Sequence, residues 1–215
     1  MQGSDWLLAA VAVLLCLVLT ARLLADAELL APSQIRSPRG LAIGGITVVL
    51  ALVALAPTGV PAFGAGNLAA AGVAVVTAPL FLIDQRDHRL PNPITYSLIG
   101  LALLLGVVSA LATGNWNTLT FALTWGLIPF AFLLLMVLLS RGGVGMGDAK
   151  LAAGLGLVSA LTSGRLVLTS MAAAFLIGGL WALSLLLLRK ANRKTEIAFG
   201  PFLLAGFWLA YLLLR

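Results

Sequence analysis

The stretch Leu138-Leu-Ser-Arg141-Gly-Gly-Val-Gly145-Met-Gly147-Asp148-Ala-Lys150 sets an arginine, a carboxylate and a lysine among glycines, between two apolar runs. No residue from 119 to 140 is charged, and beyond Lys150 none is charged until Arg165. Runs of about 20 apolar residues match the helix length that crosses a hydrocarbon core about 30 Å thick. On insertion scales a charge costs roughly 2.5–3.5 kcal/mol at the centre of such a helix and less near the interface, so a carboxylate placed here is a functional candidate.

Outward from that stretch the rest of the chain has the same character. Of its 215 residues, 61% are hydrophobic and 9% charged, and the mean hydropathy is +1.12. That composition excludes a soluble globular domain and indicates an all-α, polytopic transmembrane bundle. Apolar segments at 6–24, 41–57, 68–83, 94–113, 119–140, 149–163, 166–188 and 197–214 predict about eight spans. The longest weakly hydrophobic interval, about 25–40, leaves no room for a soluble unit, so residues 1–215 read as one membrane-embedded domain. The first segment precedes Ala25-Asp-Ala27 but has no basic residue between Met1 and Asp5. It therefore reads as an uncleaved anchor with its N-terminus outside, not as a secretory leader.

Eight spans sort the basic residues onto two sides. Arg22, Arg36, Arg39, Arg86, Arg89, Arg141, Lys150, Arg189, Lys190, Arg193 and Lys194, 11 of the 13, fall on one side, and only Arg165 and Arg215 on the other. The positive-inside rule makes the first set cytoplasmic and puts both termini outside. The net charge of +6 is thereby a topological signal, and nucleic acid is not an expected partner. Merging 149–163 with 166–188 would send Arg189 to Lys194 to the wrong side. Yet 149–163 is short, about 22 Å of helix at 1.5 Å per residue. Either the bilayer thins around it, or it starts below the surface with its approach lined by protein or water. Gly154 and Gly156 on this segment predict close helix packing.

Asp84 follows the third apolar run directly, in Ile83-Asp84-Gln-Arg-Asp87-His88-Arg-Leu90-Pro91-Asn92-Pro93. The basic-residue count puts it on the same face as Asp148, although 64 residues separate them. Two carboxylates within a few ångströms would share one proton and titrate in two separated steps. That state suits peptide hydrolysis with water and needs neither metal nor cofactor. Other roles are open for each residue. Asp148 could cap a helix start, worth about 0.5–2 kcal/mol. Asp84 could pair with Arg86 or Arg89, and Asp87 reads as a solvated charge. Lys150 could pair with a carboxylate, snorkel to the interface, or support Asp148. Cys16 has no second cysteine for a disulfide, and the lone His88 lacks the companions of a zinc site.

Three segments in order resemble the prepilin peptidases, aspartic proteases of the bacterial inner membrane. Asp84 followed by Leu90-Pro91-Asn92 is similar to that family's first motif. Gly145-x-Gly147-Asp148-x-Lys150 is similar to its Gly-x-Gly-Asp motif, and Ala198-Phe-Gly200-Pro201-Phe202 to its late Phe-Gly-Pro-Phe signature. The resemblance implies Asp84 and Asp148 as the catalytic pair, with Gly145, Gly147, Lys150, Pro91, Asn92, Gly200 and Pro201 as supporting or substrate-binding residues. It implies prepilin or pseudopilin precursors as substrates, cut after a short basic leader at the cytoplasmic face, with no cofactor. Where the family usually has Pro-Asp this chain has Pro91-Asn92, which removes a carboxylate from that position. The interval of about 16 residues after the first segment has no Cys-x-x-Cys pair, so the resemblance is to a short, peptidase-only form without methyltransferase activity. Presenilin-like proteases share Gly-x-Gly-Asp, but here Ile83 stands where they carry Tyr. The alternative from another class is a small proton- or cation-coupled transporter using Asp84 and Asp148. Such sites lie near the midplane, commonly between internal repeats, and no repeat is visible here.

Overall fold

A computed structural model describes residues 38–55, 64–87, 90–139, 144–188 and 198–214, together with residue 18. Among the described residues every extended element is an α-helix: α1 (Pro38–Leu55), α2 (Ala65–Asp87), α3 (Asn92–Thr113), α4 (Asn117–Leu139), α5 (Met146–Thr162), α6 (Gly164–Leu187) and α7 (Gly200–Leu214). Each covers one of the seven apolar segments expected after residue 40. The first expected segment, 6–24 with Cys16, lies outside the described residues except for residue 18, as do His88, Arg89, Arg141 and the basic cluster at 189–194.

The joints follow local chemistry. Pro91 precedes α3 in an extended conformation (φ −63°, ψ 125°), and Pro93 stands in the first turn, where a missing N–H would have had no helical partner anyway. Gly114 ends α3 at φ 68°, a left-handed conformation that costs glycine little. A single residue separates α5 from α6. The Ser163 amide closes α5 on the Ser159 carbonyl at 2.8 Å, and its hydroxyl accepts the Leu166 N–H at 3.2 Å to open α6. The expected break between 149–163 and 166–188 is this serine.

Among the described residues four helices are long and apolar enough to cross a bilayer: α2 over Ala65–Gln85, α3, α4 and α6. Their outward faces carry large apolar side chains, with Leu176 66% and Leu180 67% exposed on α6. Such a surface is an aggregation hazard in water and fits lipid. The chain is a multi-pass membrane protein.

The 17-residue α5 lies inside. It packs against α2, α3, α4, α6 and α7, and an unbroken stretch from Leu151 to Ala160 is buried. Protein thus surrounds this short segment. Small residues allow that density. A methyl group on Gly156 would collide with the Gly126 carbonyl and Pro129 of α4, and one on Gly154 would press on Leu98 of α3 at 3.0 Å. In lipid, packing and interhelical hydrogen bonds replace the hydrophobic effect as the force between helices. Such bonds link α7 to its neighbours. Trp208 Nε1 of α7 donates to Thr77 Oγ1 at 2.9 Å, and the Tyr211 hydroxyl lies 3.2 Å from the Ala54 carbonyl and 3.0 Å from Asn67 Oδ1. These contacts tie α7 to α1 and α2.

Candidate active site

The three motif segments meet where α2 ends and α5 and α7 begin. Asp84 stands in the last turn of α2 with 3% of its surface exposed, and Asp148 in the first turn of α5 with 7%. Burial of this depth is rare for an aspartate without a specific reason.

Gly200, the first residue of α7, touches both. Its backbone amide lies where it favours the ionised form of the Asp148 carboxylate. Its Cα faces Asp84 so closely that a Cβ there would lie 2.6 Å from Oδ2 and 3.2 Å from Cγ. Only glycine fits. The turn behind it is closed by the Phe199 carbonyl, which accepts the Phe202 and Leu203 amides at 3.0 and 3.1 Å. Pro201 is buried beside Gly200 and, at this first-turn position, leaves no N–H unsatisfied.

Asp148 also receives the Gly145 N–H at 3.3 Å, while its own amide donates to the Gly145 carbonyl at 3.1 Å. Gly145 is thus the N-cap, in extended conformation (φ −80°, ψ 146°), and Asp148 the third residue of the helix. The capping role weighed for Asp148 is present, by reaching back to the cap and not as the cap itself. It leaves the carboxylate facing Asp84. Asp148 stands outside the four long spans, and burial, followed by the charge of Asp84, pushes its carboxyl up from 3.8 to about 7. The amides of Gly145 and Gly200 oppose that rise by stabilising the ionised form. Asp148 therefore keeps its proton well above the ordinary carboxylate range.

The remaining motif residues form the surround. Gly147 lies against Leu90, where a Cβ would come within 3.0 Å of the Leu90 Cβ. The Lys150 ammonium donates to Asn92 Oδ1 at 2.8 Å and stands 5.1 Å from the centre of the Tyr96 ring, within cation–π range. Lys150 thus bonds the neutral amide of Asn92, which in the sequence reading takes the place of a carboxylate. The Pro91 carbonyl accepts the Thr95 amide at 3.2 Å. Leu90 and Tyr96 were not among the expected site residues. Their signal was adjacency to Pro91-Asn92. Among the described residues no group of three or more His, Cys, Asp or Glu stands together.

The model of the type IV leader peptidase family matches residues 71–183, more than half of the chain. The chain belongs to the type IV leader peptidase family. Among its relatives, the prepilin leader peptidase/N-methyltransferase of Aeromonas hydrophila is 31% identical over 185 residues, 85% of this chain and 60% of that protein. The protein of the same name from Aeromonas salmonicida strain A449 is 32% identical over 152 residues, 69% of this chain and 50% of that protein. The leader peptidase HopD of Escherichia coli is 32% identical over 137 residues, 62% of this chain and 84% of that protein. The chain thus spans half to three-fifths of the Aeromonas leader peptidase/N-methyltransferases. No solved structure matches it. The stretch matched to the leader peptidase family contains Asp84, Leu90-Pro91-Asn92 and Gly145 to Lys150 but stops before Gly200. The fold brings Gly200 back onto both aspartates.

Proposed function

We propose that Asp84 and Asp148 hydrolyse one peptide bond in a prepilin or pseudopilin precursor, removing a short basic leader at the cytoplasmic face of a bacterial inner membrane. The observation that carries this reading is the contact of Gly200 with both carboxylates, which sets two buried aspartates against one backbone atom group. With a single shared proton, the ionised carboxylate takes a proton from water as the water oxygen bonds to the scissile carbonyl carbon. The protonated carboxyl hydrogen-bonds the carbonyl oxygen as charge develops there. Collapse breaks the C–N bond, a proton passes to the leaving nitrogen, and the products are a carboxylate and an amine.

The reading extends to a Gly-x-Gly-Asp aspartic protease of about eight spans in one domain, with both termini outside. Gly145, Gly147, Lys150, Pro91, Asn92, Gly200 and Pro201 support the pair or the substrate, and no metal takes part. The leader peptidase family and the relative named as a leader peptidase alone support a peptidase without methyltransferase activity. A proton- or cation-coupled transporter would use the same aspartates, but their place at helix ends favours hydrolysis over a midplane site. The test is cleavage of a co-expressed precursor in membranes. Asp84→Ala and Asp148→Ala should each abolish leader removal while Asp87→Ala preserves it, and full processing by Asp148→Asn would reject the mechanism.

A further inference from the structure

We propose that Leu90 is a positioning residue, an apolar wedge that sets the spacing of the Asp84 and Asp148 carboxylates. Leu90 occupies the joint between α2 and α3, flanked in sequence by Arg89 and Pro91, and only 8% of its surface is exposed. A leucine so deep in a polar connection is held there by what it packs on. One face of its side chain meets Gly147, whose Cβ, if present, would lie 3.0 Å from Leu90 Cβ and 3.6 Å from Leu90 Cδ1. The same Cδ1 meets Gly200, whose Cβ would lie 3.4 Å away.

Those two glycines are the immediate supports of the carboxylates. Gly147 precedes Asp148 in the chain, and Gly200 lies against Asp84 with its backbone amide close enough to act on the Asp148 carboxylate. Leu90 therefore separates the start of α5 from the start of α7 at the level of the pair. Its own position is fixed from the next two residues. Pro91 restricts the backbone, and the Asn92 side chain is anchored by Lys150 on α5 at 2.8 Å. Leu90 has no reactive group, so its contribution is entirely geometric. Displacements of about 1 Å at such sites can cost about 10²-fold in rate.

This inference rests on the proteolytic reading above, and the experiment separates the two. Membranes containing the wild-type protein, Leu90→Ala, Leu90→Val and Leu90→Met are assayed for precursor cleavage across pH. Leu90→Val keeps the Cβ contact with Gly147 and loses the Cδ1 contact with Gly200. The expected result is a fall in kcat of at least about tenfold for Leu90→Val and more for Leu90→Ala, with little change in KM. The alkaline limb of the rate profile should also move, because the interaction between two carboxylates depends on their separation. Leu90→Met, of similar volume, should restore rate and profile. Should Leu90→Val fold and keep the wild-type kcat and pH limb, the wedge is wrong. A variant whose loss lies wholly in melting temperature or KM also overturns it. If the wild-type protein does not cleave the precursor, or cleaves it without Asp148, the proteolytic reading fails instead.

Discussion

A methyl group added to Gly200 would lie 2.6 Å from Asp84 Oδ2, closer than any relaxed carbon–oxygen contact. Gly200→Ala must therefore displace either the Asp84 side chain or the start of α7. Cleavage should fall by about 10²-fold, with the protein still inserted and folded. Precursor processing in membranes, together with the melting temperature in detergent, checks both halves of that expectation.

Asp148 is protonated below about pH 7 and ionised above it. Catalysis by a pair that shares one proton is lost once both groups are ionised. The rate should therefore decline on an alkaline limb centred near pH 7, well above an ordinary aspartate. A rate profile flat from pH 6 to 9 would contradict it.

The same titration bears on stability. With the carboxyl raised from 3.8 in the unfolded chain to about 7 in the native one, the native state holds a proton that the unfolded state has lost throughout that interval. Stability is therefore greatest below the unfolded value and falls as pH rises through the window. Asp148→Asn removes the ionisable group, so its melting temperature should vary less between pH 4 and 8 than that of the wild type and exceed it at the alkaline end.

Gly156 and Gly179 should respond oppositely to alanine. At Gly156 the added methyl collides with the Gly126 carbonyl, and overpacking of this kind costs about 1–3 kcal/mol. At Gly179 nothing lies within 4 Å of the new methyl, and replacing a mid-helix glycine stabilises by roughly 0.5–1 kcal/mol. Equal shifts in melting temperature would count against the close α4–α5 seam.

Tyr211→Phe removes the hydroxyl that reaches Ala54 and Asn67. A loss of about 1 kcal/mol is expected, read as a lower melting temperature with the cleavage rate unchanged, since this seam lies away from Gly200.

How much of this was legible before the fold was known varies from residue to residue. The helices after residue 40 were visible because apolar runs near 20 residues have few alternatives in a membrane protein. The break at Ser163 followed from the distribution of Lys and Arg. Asp84 and Asp148 stood out because charges are scarce in such a chain. Leu90 did not, since one leucine in a polar connection has no period to reveal which side it buries. The Lys150–Asn92 bond spans 58 residues, and nothing in either local sequence names the other as its partner. Gly200 could be placed in a motif, but a backbone amide carries no signature of the group it serves. The seam of Thr77, Trp208, Asn67 and Tyr211 was hidden for a different reason: polar side chains inside apolar helices show their partners only once the helices are paired.

The enclosure of α5 sets how the protein responds to different membranes. Hydrophobic mismatch acts on helices that meet lipid, which tilt or distort the bilayer at their rim when its thickness changes. A helix surrounded by five others has no such boundary of its own. In a thicker or thinner bilayer the lipid-facing helices are the ones exposed to that stress, while the burial of Asp148 is set by the helices packed around α5.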